Sequence, residues 1–75
     1  MKPTVGRIVH YMSYGTPKGE YTSLCRAAVV AAVVDSTTVD LVVLNPTGLF
    51  FNQGCKQDEL HHAGGTWHWP ERDEA

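Results

Sequence analysis

The chain has 75 residues, six basic and eight acidic, for a formal net charge of −2, with two cysteines. That length supports one small domain with a thin core and little concave volume for a substrate, which argues against an enzyme. No apolar run approaches the ~20 residues of a membrane-spanning helix, and Met1–Arg7 lacks the apolar core of a leader, so the expected setting is a soluble, intracellular one with no membrane partner.

Charge is unevenly spread. Residues 1–56 carry five basic and three acidic side chains, and residues 57–75 carry one basic and five acidic ones. Nucleic-acid binders draw most of their affinity from a concentrated basic patch. Here the basic residues are scattered and the tail is acidic, which disfavours nucleic acid as the partner.

Thr4–Met12 reads as a strand, with Val5, Arg7, Val9 and Tyr11 on one face and Ile8, His10 and Met12 on the other. Neither face is cleanly polar, as in a strand wrapped into a small barrel. Ser13–Thr22 reads as a loop, punctuated by Gly15, Pro17 and Gly19 and flanked by Tyr14 and Tyr21. Long ordered loops in small domains often carry function.

Leu24–Val34 mixes helix-forming alanines with strand-forming valines. Periodicity does not separate the two in a continuous apolar run. The polar Asp35–Thr38 and the β-branched Val39–Leu44 that follow favour a hairpin over an 11-residue helix. Asn45-Pro-Thr-Gly48 is a type I turn pattern: Asn accepts a local hydrogen bond, Pro fixes φ and Gly relieves crowding. It should join Val39–Leu44 to a strand at Leu49–Asn52. Asn52-Gln-Gly54 reads as a further turn.

Lys56–Ala63 is polar, with room for a helical or 3₁₀ turn around Asp58–His62. Gly64-Gly65 ends it. Thr66–Trp69 is a last strand, with Trp67 and Trp69 sharing one face, and Pro70 terminates it. Residues 1–70 form the domain and 71–75 an acidic, frayed tail. Five short strands, a long first loop, a tight hairpin and a 3₁₀-like turn before the last strand describe an all-β, SH3-like five-stranded small barrel.

Three stretches, Pro3-Thr-Val-Gly-Arg-Ile-Val-His-Tyr11, Asn45-Pro-Thr-Gly-Leu-Phe-Phe-Asn52 and Gly65-Thr-Trp-His-Trp-Pro-Glu71, resemble a group of short proteins of actinobacteria and their bacteriophages. The resemblance spans almost the whole chain. It implies a phage or prophage context and a bacterial host cytoplasm, and it carries no site residues with it. Likeness to the SH3 signalling family is at the level of fold alone. The Ala-Leu-Tyr-Asp-Tyr type motif is absent, so proline-peptide binding is not implied.

Candidate sites follow from residue chemistry. Cys55, His61, His62 and His68, with His10 in reach, have zinc-ligand chemistry, but no Cys-x-x-Cys or His-x₃-His spacing. No metal and no cofactor is therefore expected. A nucleophile pair drawn from Cys25 or Cys55 with His10 or His68 lacks an evident activating group. A Cys25–Cys55 disulfide is not expected without an oxidising compartment. Tyr11, Tyr14, Tyr21 and Trp69 form a candidate aromatic surface for a protein partner, with Trp67 or Trp69, and Phe50 or Phe51, assigned to the core. Arg7, Lys18 and Arg26 are the residues for the nucleic-acid alternative.

The function expected is a non-enzymatic interaction module binding a host or phage protein. A minor virion component is a further alternative. Homo-oligomerisation through an uncovered Val39–Leu44 strand is a related expectation.

Overall fold

The structure is a computed structural model, and it describes residues 2–13 and 25–70. Five strands form one antiparallel sheet: β1 (Ile8–Met12), β2 (Cys25–Val33), β3 (Thr38–Asn45), β4 (Gly48–Lys56) and β5 (Trp67–His68), in the order β4-β3-β2-β1-β5. The sheet curls into a half-barrel compatible with an SH3-like fold. Its ends approach each other where Gln57, just past β4, makes a parallel bridge with Trp67 of β5. No helix occurs among the described residues.

The alternation of β1 sets the two faces. Val9 and Tyr11 are buried, while Ile8 is exposed and His10 and Met12 are half-buried. Ala28 and Val30 of β2, Val39, Leu41 and Val43 of β3, Cys55 of β4 and Trp67 of β5 complete the core. Thr4–Arg7 is not strand. Arg7 N–H bonds back to Thr4 O at 3.1 Å, and Gly6 takes φ +90°. That left-handed turn starts β1 at Ile8.

Cys25–Val33 is strand, as the hairpin context predicts, and the helical alternative fails. A helix would present Ala28 and Val30 on different sides, whereas both point into the core with Ala27, Val29 and Ala31 outward. Asp35 holds the β2–β3 turn. Its Oδ1 accepts from Thr37 N–H at 2.9 Å and Thr38 N–H at 2.8 Å, and these bonds hold the carboxyl below its ordinary pKa. The Asn45–Gly48 hairpin forms as its residues predict, with Asn45 opposite Gly48 and a turn at 46–47.

Three expectations are corrected. Asn52-Gln-Gly54 is not a turn but a β-bulge inside a longer β4. Asp40 faces two residues there, because Val39 pairs with Cys55 and Leu41 with Asn52. Gly54 takes φ +66° and donates its N–H to Asp40 Oδ1 at 2.8 Å. A left-handed glycine in a bulge keeps the strand going while sharpening its curl. Second, neither phenylalanine is core. Phe50 is 45% exposed and Phe51 68% exposed, because β4 is an edge strand. Third, Val39–Leu44 is not an uncovered strand. It lies in β3, between β2 and β4, and among the described residues β4 is the edge strand beside it.

Candidate functional site on the outer face of the sheet

Register places the site. Phe51 pairs with Val42, Val42 with Val29 and Val29 with Ile8, a row crossing four strands. Leu49, Leu44, Ala27, His10 and His68 form the neighbouring row across all five. Side chains directly opposite one another share a face, and this face is opposite the core. Its large apolar members are well exposed: Ile8 60%, Leu49 61% and Phe51 68%. Scattered exposed hydrophobics are ordinary, whereas a contiguous apolar patch marks an interaction surface.

The exposed edge of β4 adjoins this patch. Edge strands in monomeric proteins are guarded by charges, proline or short length. β4 runs for nine residues, and no charged side chain occurs from Leu41 to Cys55. Its guards are the Gly54 bulge and the terminal Lys56, and both lie toward the far end from Leu49 and Phe51.

A polar cluster ends the second row. His10, Cys25 and His68 each offer a metal-ligating atom, and these atoms lie within 4.8 Å of one another. Cys25 Sγ is 3.7 Å from His68 Nε2. The rings of His10 and His68 meet edge to face at 5.6 Å, and His62 stacks on His68 at 3.7 Å and 7°. Asp58 builds the turn that delivers His62. Its two carboxylate oxygens accept from His61 N–H at 2.9 Å and Ala63 N–H at 3.0 Å. His62 then adopts φ 52°, a left-handed conformation that, glycine aside, asparagine, aspartate and histidine adopt most readily.

The backbone bonds to Asp58 hold its carboxyl below the ordinary value of 3.8, as those at Asp35 do. A carboxylate with a depressed folded pKa stabilises the fold above its unfolded pKa and loses that contribution as pH falls through the folded one. Stability should therefore hold flat down to about pH 4 and decline below it. Urea midpoints measured from pH 7 to pH 2 check this, and Asp58→Asn should flatten part of the decline.

The residues singled out in the sequence separate. Tyr11 is 2% exposed and packs in the core, its ring 6.1 Å from Phe50, which corrects its assignment to a binding surface. Pairing explains this: Tyr11 sits opposite Arg26 and Trp67, on the inner face. Trp69 is half-buried against the core. Its ring meets Trp67 edge to face at 5.3 Å and lies under the Arg7 guanidinium at 5.5 Å, and the Trp69 backbone N–H donates to Glu59 Oε2 at 2.8 Å. Tyr14, Tyr21 and Lys18 fall outside the described residues. Arg7 and Arg26 do not combine with them into a describable basic patch. Arg7 is committed to the Trp69 ring, and Arg26 is half-buried with its Nε enclosed.

The cysteines are not joined. Cys55 is buried, donates to Gly65 O at 3.4 Å, and has its thiol pKa pushed up to about 11 by burial. Cys25 is exposed. A thiol-specific reagent at pH 8 should therefore label Cys25 quickly and Cys55 only as the protein opens. A raised folded pKa also means that the unfolded state ionises first. Stability should fall as pH rises from about 9 to about 11, and Cys55→Ala should remove that fall.

The sequence singled out Cys25, His10 and His68 as a possible nucleophile pairing but gave no sign that all three converge, or of the outer apolar rows. Both are products of register, joining residues as far apart in the chain as His10 and His68. The strand alternation of β1 is the one local clue, because it puts His10 on the same side as Ile8 and Met12. No known protein family, curated protein or solved structure matches the chain. What the fold and the face define is a small all-β module with one apolar outer surface and an open strand edge.

Proposed function

We propose that this protein is a non-enzymatic interaction module that docks another protein by strand addition at β4, the partner's side chains covering Leu49 and Phe51 on the outer face. The observation that carries this reading is the nine-residue edge strand, uncharged from Gly48 to Cys55, whose exposed Leu49 and Phe51 continue into apolar neighbours on the outer face. Main-chain hydrogen bonds along an edge supply affinity, and alternate side chains supply selectivity. The occupant is therefore an extended segment, uncharged and apolar at every second position. The resemblance to short phage proteins makes the partner a host or phage protein in the bacterial cytoplasm. The outer face supports this reading better than Tyr11, which is spent in the core, or Trp69, whose ring packs against Trp67 and Arg7; Tyr14 and Tyr21 of the Ser13–Thr22 loop lie outside the described residues.

The test is affinity capture from nuclease-treated host lysate with the wild type and with Leu49→Lys/Phe51→Lys, each verified as folded. A protein retained by the wild type and by Leu60→Lys, an exposed control in the 59–61 turn, but lost with the β4 variant supports the reading. Capture that is indifferent to the β4 variant, or material that disappears with nuclease, overturns it. Sedimentation of the purified protein separates a foreign partner from a second copy of the chain.

A further inference from the structure

The geometry points to a transition-metal site of zinc type formed by His10, Cys25 and His68. Three strands contribute one ligand each: β1 gives His10, β2 gives Cys25 and β5 gives His68. Register makes the convergence obligatory. His10 lies directly opposite His68, and Cys25 lies opposite Met12, two places along β1 from His10 on the same face.

The distances fit a tetrahedral ion. Zinc binds thiolate sulfur at about 2.3 Å and imidazole nitrogen at about 2.0–2.1 Å, so sulfur and nitrogen on one ion lie about 3.6 Å apart. Cys25 Sγ and His68 Nε2 are 3.7 Å apart. All three ligand atoms fall within 4.8 Å of one another, and rotation of the half-buried His10 ring closes the remaining distance. His10 brings a second reason. Its buried Nδ1 has no hydrogen-bond partner, a cost that coordination would remove if Nδ1 faces the ion.

The donor set of one thiol and two imidazoles selects zinc over magnesium or calcium, which take oxygen ligands. Binding would convert the Cys25 thiol to a thiolate, its proton leaving to solvent as the Zn–S bond forms. The stacked His62 covers one side of the His68 ring at 3.7 Å between centroids. Three protein ligands leave a fourth position for water or for a donor from a docked partner. The ion would also tie the two-residue β5 to β1 and β2, a staple of the kind small domains use.

The experiment titrates the reduced wild-type protein with Zn2+ by calorimetry and with Co2+ by absorption spectroscopy. The expected result is one ion per chain. Cobalt should give the visible d–d bands of a tetrahedral site together with a near-ultraviolet thiolate-to-cobalt band, and zinc should block thiol labelling of Cys25. Cys25→Ala should abolish the thiolate band and weaken zinc by more than about a hundredfold, beyond the range for losing an outer-shell partner. His10→Ala should do the same to zinc affinity without depending on a buried position, which guards against misfolding of His68→Ala. His61→Ala should bind as the wild type does. Cobalt spectra without the thiolate band, uptake unaffected by Cys25→Ala, or no uptake by protein with two titratable thiols would each overturn the site.

Discussion

Trp67→Ala should leave the chain largely unfolded at 25 °C. The side chain is wholly buried, and its position in the fold is singular. It belongs to β5, which is two residues long and, among the described strands, pairs with β1 at His10 and Tyr11. Its indole N–H donates to Thr37 O at 3.0 Å, tying β5 to the β2–β3 turn, and its backbone O accepts from Asp58 N–H at 2.9 Å. The same residue bridges Gln57 where the two ends of the sheet meet. Truncating a buried tryptophan costs about 3–5 kcal/mol, and a core of this size supplies about 3–5 kcal/mol in total. The two figures cancel, so far-UV circular dichroism should show no cooperative melt. Trp67→Phe should be far milder. Thr37 O keeps a second donor in Gln57 N–H at 3.0 Å, so no buried carbonyl is stranded. A cooperative melt for Trp67→Ala close to that of the wild type would show that the core does not depend on the indole closing the sheet.

The centrality of Trp67 marks the limit of what the sequence expresses locally. Strand identity is legible because β-branched residues alternate and turn residues punctuate them: Asn45-Pro-Thr-Gly48 sets its hairpin wherever it occurs. The choice of strand over helix for Cys25–Val33 needs the following hairpin partner, because the run alone satisfies either period. Gly54 misleads for a physical reason. A left-handed glycine serves a turn and a bulge equally well, and only the facing Asp40 carboxylate, which accepts its N–H, decides for the bulge. Phe50 and Phe51 mislead because hydrophobicity predicts burial only where a neighbouring strand supplies the cover, and β4 has one neighbour. Tyr11 errs the other way. Its polar tip suggests a surface, but the phase of β1 carries it inward with Val9. Surfaces and clusters assembled across strands depend on register, and register is a long-range property that a single residue's slip inverts.

Leu49→Lys/Phe51→Lys should eliminate partner binding while leaving the fold intact. Both side chains are more than half exposed, so their replacement removes little native packing and should change stability by no more than about 0.5 kcal/mol each. Lysine on an edge strand is also the device by which monomeric sheets avoid pairing. Binding has the opposite dependence. Burying an apolar side chain of this size is worth about 1.5–3 kcal/mol, so losing one contact should weaken the complex by about ten- to a hundredfold. Losing two, with a charge left to be desolvated in their place, should put it beyond detection. Amide hydrogen exchange adds a readout that separates strand addition from contact through the face alone. Edge pairing protects β4 amides that point to solvent in the unbound protein, whereas a partner resting on the outer face covers side chains of β1 to β4 and leaves those amides exchanging. Protection confined to β4, lost in the double variant and retained in Ile8→Lys, would assign affinity to the edge. Protection unchanged in the double variant would transfer the interface away from β4. Ile8 is the discriminating control because it belongs to the Phe51 row but stands three strands away from the edge.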